Sequence, residues 1–218
     1  MQAYSITSLL LAPSAAGADA NGLTEAEQYA HCTRQVSMQA DAAYTQARQW
    51  FQATGALPAQ HCMALALYEQ RQFAGAASEL DRMLQKLTAD QPTLWLNIKE
   101  QAARAHRYAG SLMGAEKHLD DALLWISGQD NMANQMANLL LQRGEIHALQ
   151  EAYLLAVQDY DHAYALAQTP DVLLARAKLF IEMGKLDSAR DDLETLLVTE
   201  PQNSEAQQLL TTLEANPT

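Results

Sequence analysis

The stretch that decides the fold lies at residues 142–163 and reads QRGEIHALQEAYLLAVQDYDHA. Its small residue is Gly144, and the apolar residues that follow at offsets of nine, twelve, sixteen and nineteen are Tyr153, Ala156, Tyr160 and Ala163. Steps of three and four keep residues on one side of a helix. The stretch therefore predicts two helices joined by a turn, with a small residue where the helices touch.

The same offsets recur in three other stretches. The small residues, called packing residues below, are Ala64, Ala103, Gly144 and Ala177. Those that follow at the same offsets in the other stretches are Phe73, Ala76, Leu80, Met83, then Leu112, Ala115, Leu119, Ala122, then Leu186, Ala189, Leu193, Leu196. A small residue facing an Ala lets two helix backbones approach, and the larger residues fill the wedge between neighbouring pairs. The chain is therefore predicted to be a stack of four helix pairs.

These motifs resemble the tetratricopeptide repeat, a helix–turn–helix unit of about 34 residues. The match is best at 142–163 and at MGKLD, residues 183–187, and the resemblance covers roughly residues 58–203. It implies an all-α, right-handed α-solenoid with a C-terminal capping helix. The invading Ala residues lie 39, 41 and 33 residues apart, so the middle repeats need longer helices or linkers near 88–93 and 127–131. A turn glycine is expected only at Gly184.

The predicted organisation has four segments. Residues 1–20 form a signal peptide or an apolar tail, and 21–56 form a helix pair, Glu25–Val36 and Asp41–Ala53. Residues 57–203 hold the four repeats, at about 57–90, 96–129, 137–170 and 170–203. The last segment, 204–218, holds the capping helix Ser204–Ala215, with Ser204 as its N-cap, and a tail.

Composition narrows the class of function. The chain has 218 residues, 49% of them hydrophobic, with only 9 Gly and 6 Pro, as suits a packed helical protein. Its net charge of −12 disfavours nucleic acid and anionic membrane surfaces as partners, and favours a basic one. We expect no membrane insertion. A homo-oligomer is an alternative to a monomer, because such arrays can pair through an uncapped face.

The N-terminal residues suggest export. An apolar run, Ile6–Ala12, precedes the small residues Ala18 and Ala20, which form the A-x-A pattern that a signal peptidase reads. The positive segment that usually opens a signal peptide is missing, since the first basic residue is Arg34. We therefore expect a periplasmic protein. The alternative is a cytoplasmic scaffold with free thiols and a genuine Met1.

The two cysteines, Cys32 and Cys62, are each preceded by a histidine, His31 and His61. In an exported chain the natural interpretation is a disulfide that closes a loop of about 30 residues and contributes roughly 3 kcal/mol. Two unlinked buried cysteines are an alternative. Another is a metal- or redox-responsive module built from both His-Cys pairs, although adjacent helical residues point about 100° apart.

Other chemistry has little support in the sequence. His106 and His147 follow their packing residues by three positions, which favours packed histidines. The phosphate-binding Gly-rich loop, the His-Glu-x-x-His zinc motif and the Gly-x-Ser-x-Gly elbow are missing. We expect no enzyme activity, no catalytic residue, no cofactor and no metal.

The resemblance implies that first helices line a concave groove that binds a protein or peptide. The groove candidates are Asn97, Glu100, Arg104, Arg107, Tyr108, Asn138, Leu141, Glu145 and Lys178. Asn97 and Asn138 would form hydrogen bonds with a peptide backbone. Arg104 and Arg107 would bind an acidic group. The alternative is a solvated helix face on which Glu100 and Arg104 form an ordinary i,i+4 pair.

Overall fold

A computed structural model describes residues 22–87 and 91–215, and the predicted leader at 1–20 lies outside them. Within the described residues the chain is all-α, with eleven helices. They are α1 (Glu25–Val36), α2 (Ala40–Thr54), α3 (Leu57–Glu69), α4 (Phe73–Leu84), α5 (Pro92–Tyr108), α6 (Leu112–Ile126), α7 (Ala133–Leu149), α8 (Tyr153–Leu166), α9 (Pro170–Glu182), α10 (Leu186–Thr199) and α11 (Ser204–Ala215). None of them is both long and apolar enough to span a bilayer.

The predicted repeats are four helix pairs, α3/α4, α5/α6, α7/α8 and α9/α10. Each packing residue is buried, and the invading Ala residues 76, 115, 156 and 189 are fully buried. The residues at offset nineteen are fully buried as well, whether Met83 or Ala122. The helical-repeat architecture predicted from the offsets is therefore confirmed. The two longest helices, α5 and α7, have 17 residues each and open the two middle repeats, where extra length was expected.

Local chemistry accounts for several helix starts. Thr24 and Glu27 form a reciprocal capping box at α1, in which the Thr24 backbone N–H donates to Glu27 Oε2 over 2.8 Å. Helices α5 and α9 open on Pro92 and Pro170, at a position that needs no backbone donor. At α11 the N-cap is Asn203, whose Oδ1 accepts from Ala206 N at 3.1 Å, and the prediction of Ser204 was one residue late.

The turns inside the four repeats share one geometry. The residue at offset seven has a positive φ in every case: Arg71, Gly110, Glu151 and Gly184. The next backbone N–H donates to the carbonyl at offset three, as from Ser111 to His106 over 2.9 Å. This is the Schellman arrangement that ends a helix. A turn glycine was expected only at Gly184, but Gly110 holds the same place, and Arg71 and Glu151 adopt the conformation without a glycine.

The chain divides into two compact units, one ending at His118 and one beginning at Leu119, within α6. In the first unit, Leu80, Met83, Leu94 and Ile98 form part of a core that also includes Tyr29 of α1. In the second unit, Leu193, Leu196 and Leu213 pack together, so α11 covers the apolar side of the last pair. The capping role predicted for residues 204–215 agrees with this packing.

Candidate partner-binding surface

The stripe predicted on α5 is accessible along its length. Arg104 and Tyr108 are exposed, with 52% of Tyr108 accessible, and Asn97, Glu100 and Arg107 are half-buried. The opposite side of α5 supplies the core through Leu94, Leu96 and Ile98, which are 0–1% exposed. Helix α5 thus separates a core face from a polar and aromatic outer face.

An aromatic–arginine patch, defined as Tyr68, Phe73, Arg104, Arg107 and Tyr108, lies at the end of this stripe. The ring of Phe73 stacks on Tyr108 with centroids 5.1 Å apart. Tyr68 meets both rings edge-on, at 5.2 Å from Phe73 and 6.0 Å from Tyr108. The Arg107 guanidinium lies 5.5 Å from the Tyr108 centroid, a cation–π distance. Aromatic rings held this way are pre-ordered, so little rotamer entropy is lost when a ligand covers them.

The electrostatics of the patch are mixed. Burial raises the pKa of the Tyr68 hydroxyl and Tyr108 adds to the effect, whereas the positive charges of Arg104 and Arg107 lower it. Both guanidinium groups therefore act on the same hydroxyl. The patch can offer cationic hydrogen-bond donors beside three ring surfaces, in a chain whose net charge is −12.

The predicted positions of the second unit are less uniform. Asn138 is exposed, and Leu141 and Glu145 are half-buried on α7. Lys178 is exposed on α9, but its Nζ is 2.6 Å from Glu205 Oε1 of the capping helix. A ligand of Lys178 would have to compete with this ion pair.

Two other arginines are held inside the second unit by a repeated network. Arg143 directly precedes Gly144, and it donates Nε and Nη2 to Asp159 over 3.0 and 2.6 Å and Nη1 to Asp120 over 2.7 Å. Arg176, one repeat later, binds Asp192 over 2.8 and 2.7 Å and Asp161 over 2.5 Å. Hydrogen bonds from Asp159 and Asp192 raise the pKa values of Arg143 and Arg176 respectively. These arginines join one repeat to the next, so we assign them a structural role and do not count them as partner-binding residues.

These networks were not predicted from the sequence, because the partner acids lie on other helices. The signal becomes visible only when the repeats are aligned on their packing residues. Arg143 and Arg176 both stand one place before the packing residue, and Asp159 and Asp192 both stand at offset fifteen. Tyr68 and Phe73 of the patch were likewise missed as surface residues.

The structure brings Cys32 and Cys62 together, with their Cα atoms 6.3 Å apart, a separation that a disulfide spans. The histidines beside them go elsewhere. His31 is exposed, and His61 is buried between Tyr29, whose hydroxyl is 2.6 Å from Nδ1, and Gln101, whose Oε1 is 2.8 Å from Nε2. Because Gln101 Oε1 only accepts, Nε2 carries the proton and Nδ1 accepts from Tyr29. Neither ring nitrogen of His61 is available to a metal shared with the cysteines.

Comparison with solved structures places the fold. The chain is similar to TTC0263, a tetratricopeptide-repeat protein of Thermus thermophilus, at 20% identity and a TM-score of 0.57, covering 88% of this chain and 100% of that one. It is similar to the tetratricopeptide-like repeats of a putative kinesin light chain from Podosopora anserina, at 17% identity and a TM-score of 0.67, covering 81% and 96%. It is also similar to Pseudomonas aeruginosa PilF, at 17% identity and a TM-score of 0.62, covering 86% and 81%.

No protein-family model matches the sequence, and a search of curated proteins finds no relative. The structural likeness and the four aligned helix pairs together show that the chain has the tetratricopeptide-repeat fold. The fold by itself leaves the function to be argued from the surface.

Proposed function

We propose that this protein is a non-catalytic interaction scaffold that holds a segment of another protein against the first helices of its repeats. The observation that carries the proposal is the aromatic–arginine patch, in which Tyr108 is 52% exposed and stacked on Phe73. Tyr and Arg dominate the energetics of protein interfaces, since each offers a large contact area with a polar end. A pre-ordered cluster of Tyr and Arg side chains at the end of a first helix is therefore typical of a surface that binds a partner.

The chemistry of the patch defines the ligand segment. Arg104 and Arg107 would hold a carboxylate, and Arg binds carboxylates through two parallel hydrogen bonds. The rings of Tyr68, Phe73 and Tyr108 would receive an apolar or aromatic side chain next to it. We therefore expect an acidic residue beside a large apolar one. The net charge of −12 favours basic residues in the rest of the partner.

Selection from a random peptide library displayed on phage, against the purified and immobilised protein, tests the proposal. We expect enriched peptides to carry the acidic–apolar pair. Their affinity should fall about tenfold or more in Arg104→Ala and in Tyr108→Ala, the usual loss at an interface anchor. The matched control is Lys117→Ala, an exposed cation on α6, which should leave affinity unchanged. Peptides whose binding ignores Arg104 and Tyr108 would refute this surface as the binding site.

We propose further that the protein is exported to the periplasm and that Cys32 and Cys62 are disulfide-bonded there. The approach of the two cysteines and the apolar run before Ala18 and Ala20 support this location. Intact mass of the protein from its native host, with and without reduction before alkylation, tests it. A chain that begins near Asn21 and takes up alkyl groups only after reduction would support export. A chain that keeps Met1 and alkylates at once would support the cytoplasmic alternative.

A further inference from the structure

Three side chains from three helices of the first unit meet at one point. They are Asp81 of α4, His106 of α5 and His118 of α6. His106 Nε2 lies 3.0 Å from Asp81 Oδ2, and His118 Nε2 lies 2.9 Å from Asp81 Oδ1. One donor atom from each residue falls within 4.8 Å of the others, and in residues 22–87 and 91–215 no other group of three or more His, Cys, Asp or Glu does so. This cluster was not predicted from the sequence, because Asp81 belongs to the preceding repeat.

Comparison with the later repeats shows what the cluster lacks. Asp81, Asp120 and Asp161 occupy the same place, seventeen residues after their packing residues. Asp120 receives Arg143 and Asp161 receives Arg176, so each has a permanent cation. The residue equivalent to these arginines for Asp81 is Ala102. Two imidazoles take the place of the guanidinium, and neither is a permanent cation.

The polar atoms of the cluster are incompletely satisfied. His118 is only 9% exposed, and its Nδ1 is buried without a hydrogen-bond partner. Asp81 Oδ1 is also buried, and its contact within the cluster is the ion pair with His118 Nε2. An unpaired buried nitrogen costs about 1–3 kcal/mol, so the His118 ring is held here at a cost, with its Nε2 directed at Asp81.

The position of the His106 ring is built into the fold. A Cβ on Gly114 would lie 2.7 Å from His106 Nδ1, so only glycine leaves room for the imidazole. Gly75 holds the same place one repeat earlier, and a Cβ there would meet Leu67 at an ordinary 3.4 Å. A helical glycine costs about 1 kcal/mol relative to alanine, and at residue 114 that cost makes space for a histidine.

We propose that Asp81, His106 and His118 form a transition-metal site, of a kind that suits Zn²⁺, with two imidazole ligands and one carboxylate. Ligand atoms on one zinc at about 2.1 Å each lie roughly 3 to 3.5 Å apart, close to the separations between Asp81 and the two rings. The three protein ligands leave a coordination position for water or for a side chain of a partner.

The charges around His118 act in both directions. Burial lowers the pKa of His118, the charges of Lys99 and His106 lower it further, and Asp81 opposes them. The Lys99 charge also weakens the attraction for a cation, so we expect moderate affinity.

Calorimetric titration of zinc into the full chain, free of any histidine tag and with its cysteines oxidised, tests the site. One zinc should bind per chain, and His106→Gln and His118→Gln should each lower the affinity by at least about tenfold, the loss that even outer-shell changes cause. His162→Gln, an exposed histidine on α8, is the control and should bind as the wild type does. Failure to bind zinc, or binding that both substitutions leave unchanged, would overturn the proposal.

A measurement on the wild type alone covers the case in which a variant fails to fold. Imidazole ¹⁵N resonances should shift on addition of zinc at His106 and His118 and stay in place at His31 and His162. Shifts confined to the exposed histidines would assign the zinc to the surface and overturn the site.

Discussion

At the scale of single residues, Gly144 and Tyr160 show how one repeat departs from the others without losing its packing. The other three repeats pair an Ala packing residue with a Leu at offset sixteen. Here a Cβ on Gly144 would lie 2.5 Å from Tyr160 Cε1, against a rigid ring. The missing methyl and the larger ring compensate each other, so the two positions form a unit.

The pair yields a prediction about coupling. Gly144→Ala should destabilise the protein by about 1 kcal/mol, because overpacking of roughly 1–3 kcal/mol outweighs the better helix propensity of alanine. Tyr160→Leu in the same chain should remove the clash and restore most of the loss. Urea unfolding of the two single variants and the double variant measures the coupling. Additive effects would show that the ring and the glycine do not depend on each other.

His61 predicts a pH dependence of stability. Burial lowers its pKa to about 4, against the opposing hydrogen bond of Gln101, whereas in the unfolded chain the value is near 6.5. Between these values the unfolded state binds more protons, so the contribution of His61 is complete above pH 6.5 and is lost as the pH falls toward 4. The loss amounts to roughly 3 kcal/mol at full effect.

The variant His61→Gln isolates this effect, since an amide does not titrate. Its free energy of unfolding should fall less between pH 7 and pH 4 than that of the wild type. The control, His162→Gln, changes an exposed histidine and should follow the wild type. Equal slopes for His61→Gln and the wild type would contradict the burial of a neutral imidazole.

At the scale of the element, the turn of each repeat imposes a conformation that its residues meet unequally. Gly110 and Gly184 adopt φ values of 77° and 71° without strain, but Arg71 and Glu151 hold 61° and 60° with a Cβ. Arg71→Gly and Glu151→Gly should therefore stabilise the protein by about 0.5–1 kcal/mol each. Gly110→Ala and Gly184→Ala should destabilise it by about 1–2 kcal/mol. Thermal unfolding of the four variants checks the opposite signs, and a loss of stability in all four would contradict the shared turn geometry.

The helices themselves were predictable to different degrees. The bounds of α1 and α11 were predicted as observed from apolar spacing, although the N-cap of α11 is Asn203 and not the predicted Ser204. The helix predicted at Asp41–Ala53 is one residue longer at each end, Ala40–Thr54. A difference of one residue is within the usual variation in assigning helix ends. The turns at Arg71 and Glu151 were not predicted, because neither residue type favours a positive φ and the Schellman turn imposes it on the residue at offset seven.

At the scale of the whole molecule, the repeat offsets predicted which residues are buried. They predicted only some of the surface residues and few of the contacts between helices. The packing residues could be predicted from their spacing alone, since two helices can approach closely only at small side chains. The patch and the Arg143 and Arg176 networks needed three-dimensional neighbours from other helices. Arg104 and Arg143 look alike in sequence, yet Arg104 is exposed while Arg143 is held by Asp159. Only the structure separates an arginine that can bind a partner from one that joins repeats.

The central claim is that a partner binds the aromatic–arginine patch at the C-terminal end of α5 and does not bind α6. Hydrogen exchange of the full chain, with and without a peptide from the library selection, tests it most directly, because amides slow their exchange where a ligand covers them. We expect slower exchange at the exposed C-terminal end of α5 around Arg104–Tyr108, with the exchange of α6 beyond its first turn unchanged. Slower exchange in α6 alone, or no slowing in either helix, would contradict binding at the patch.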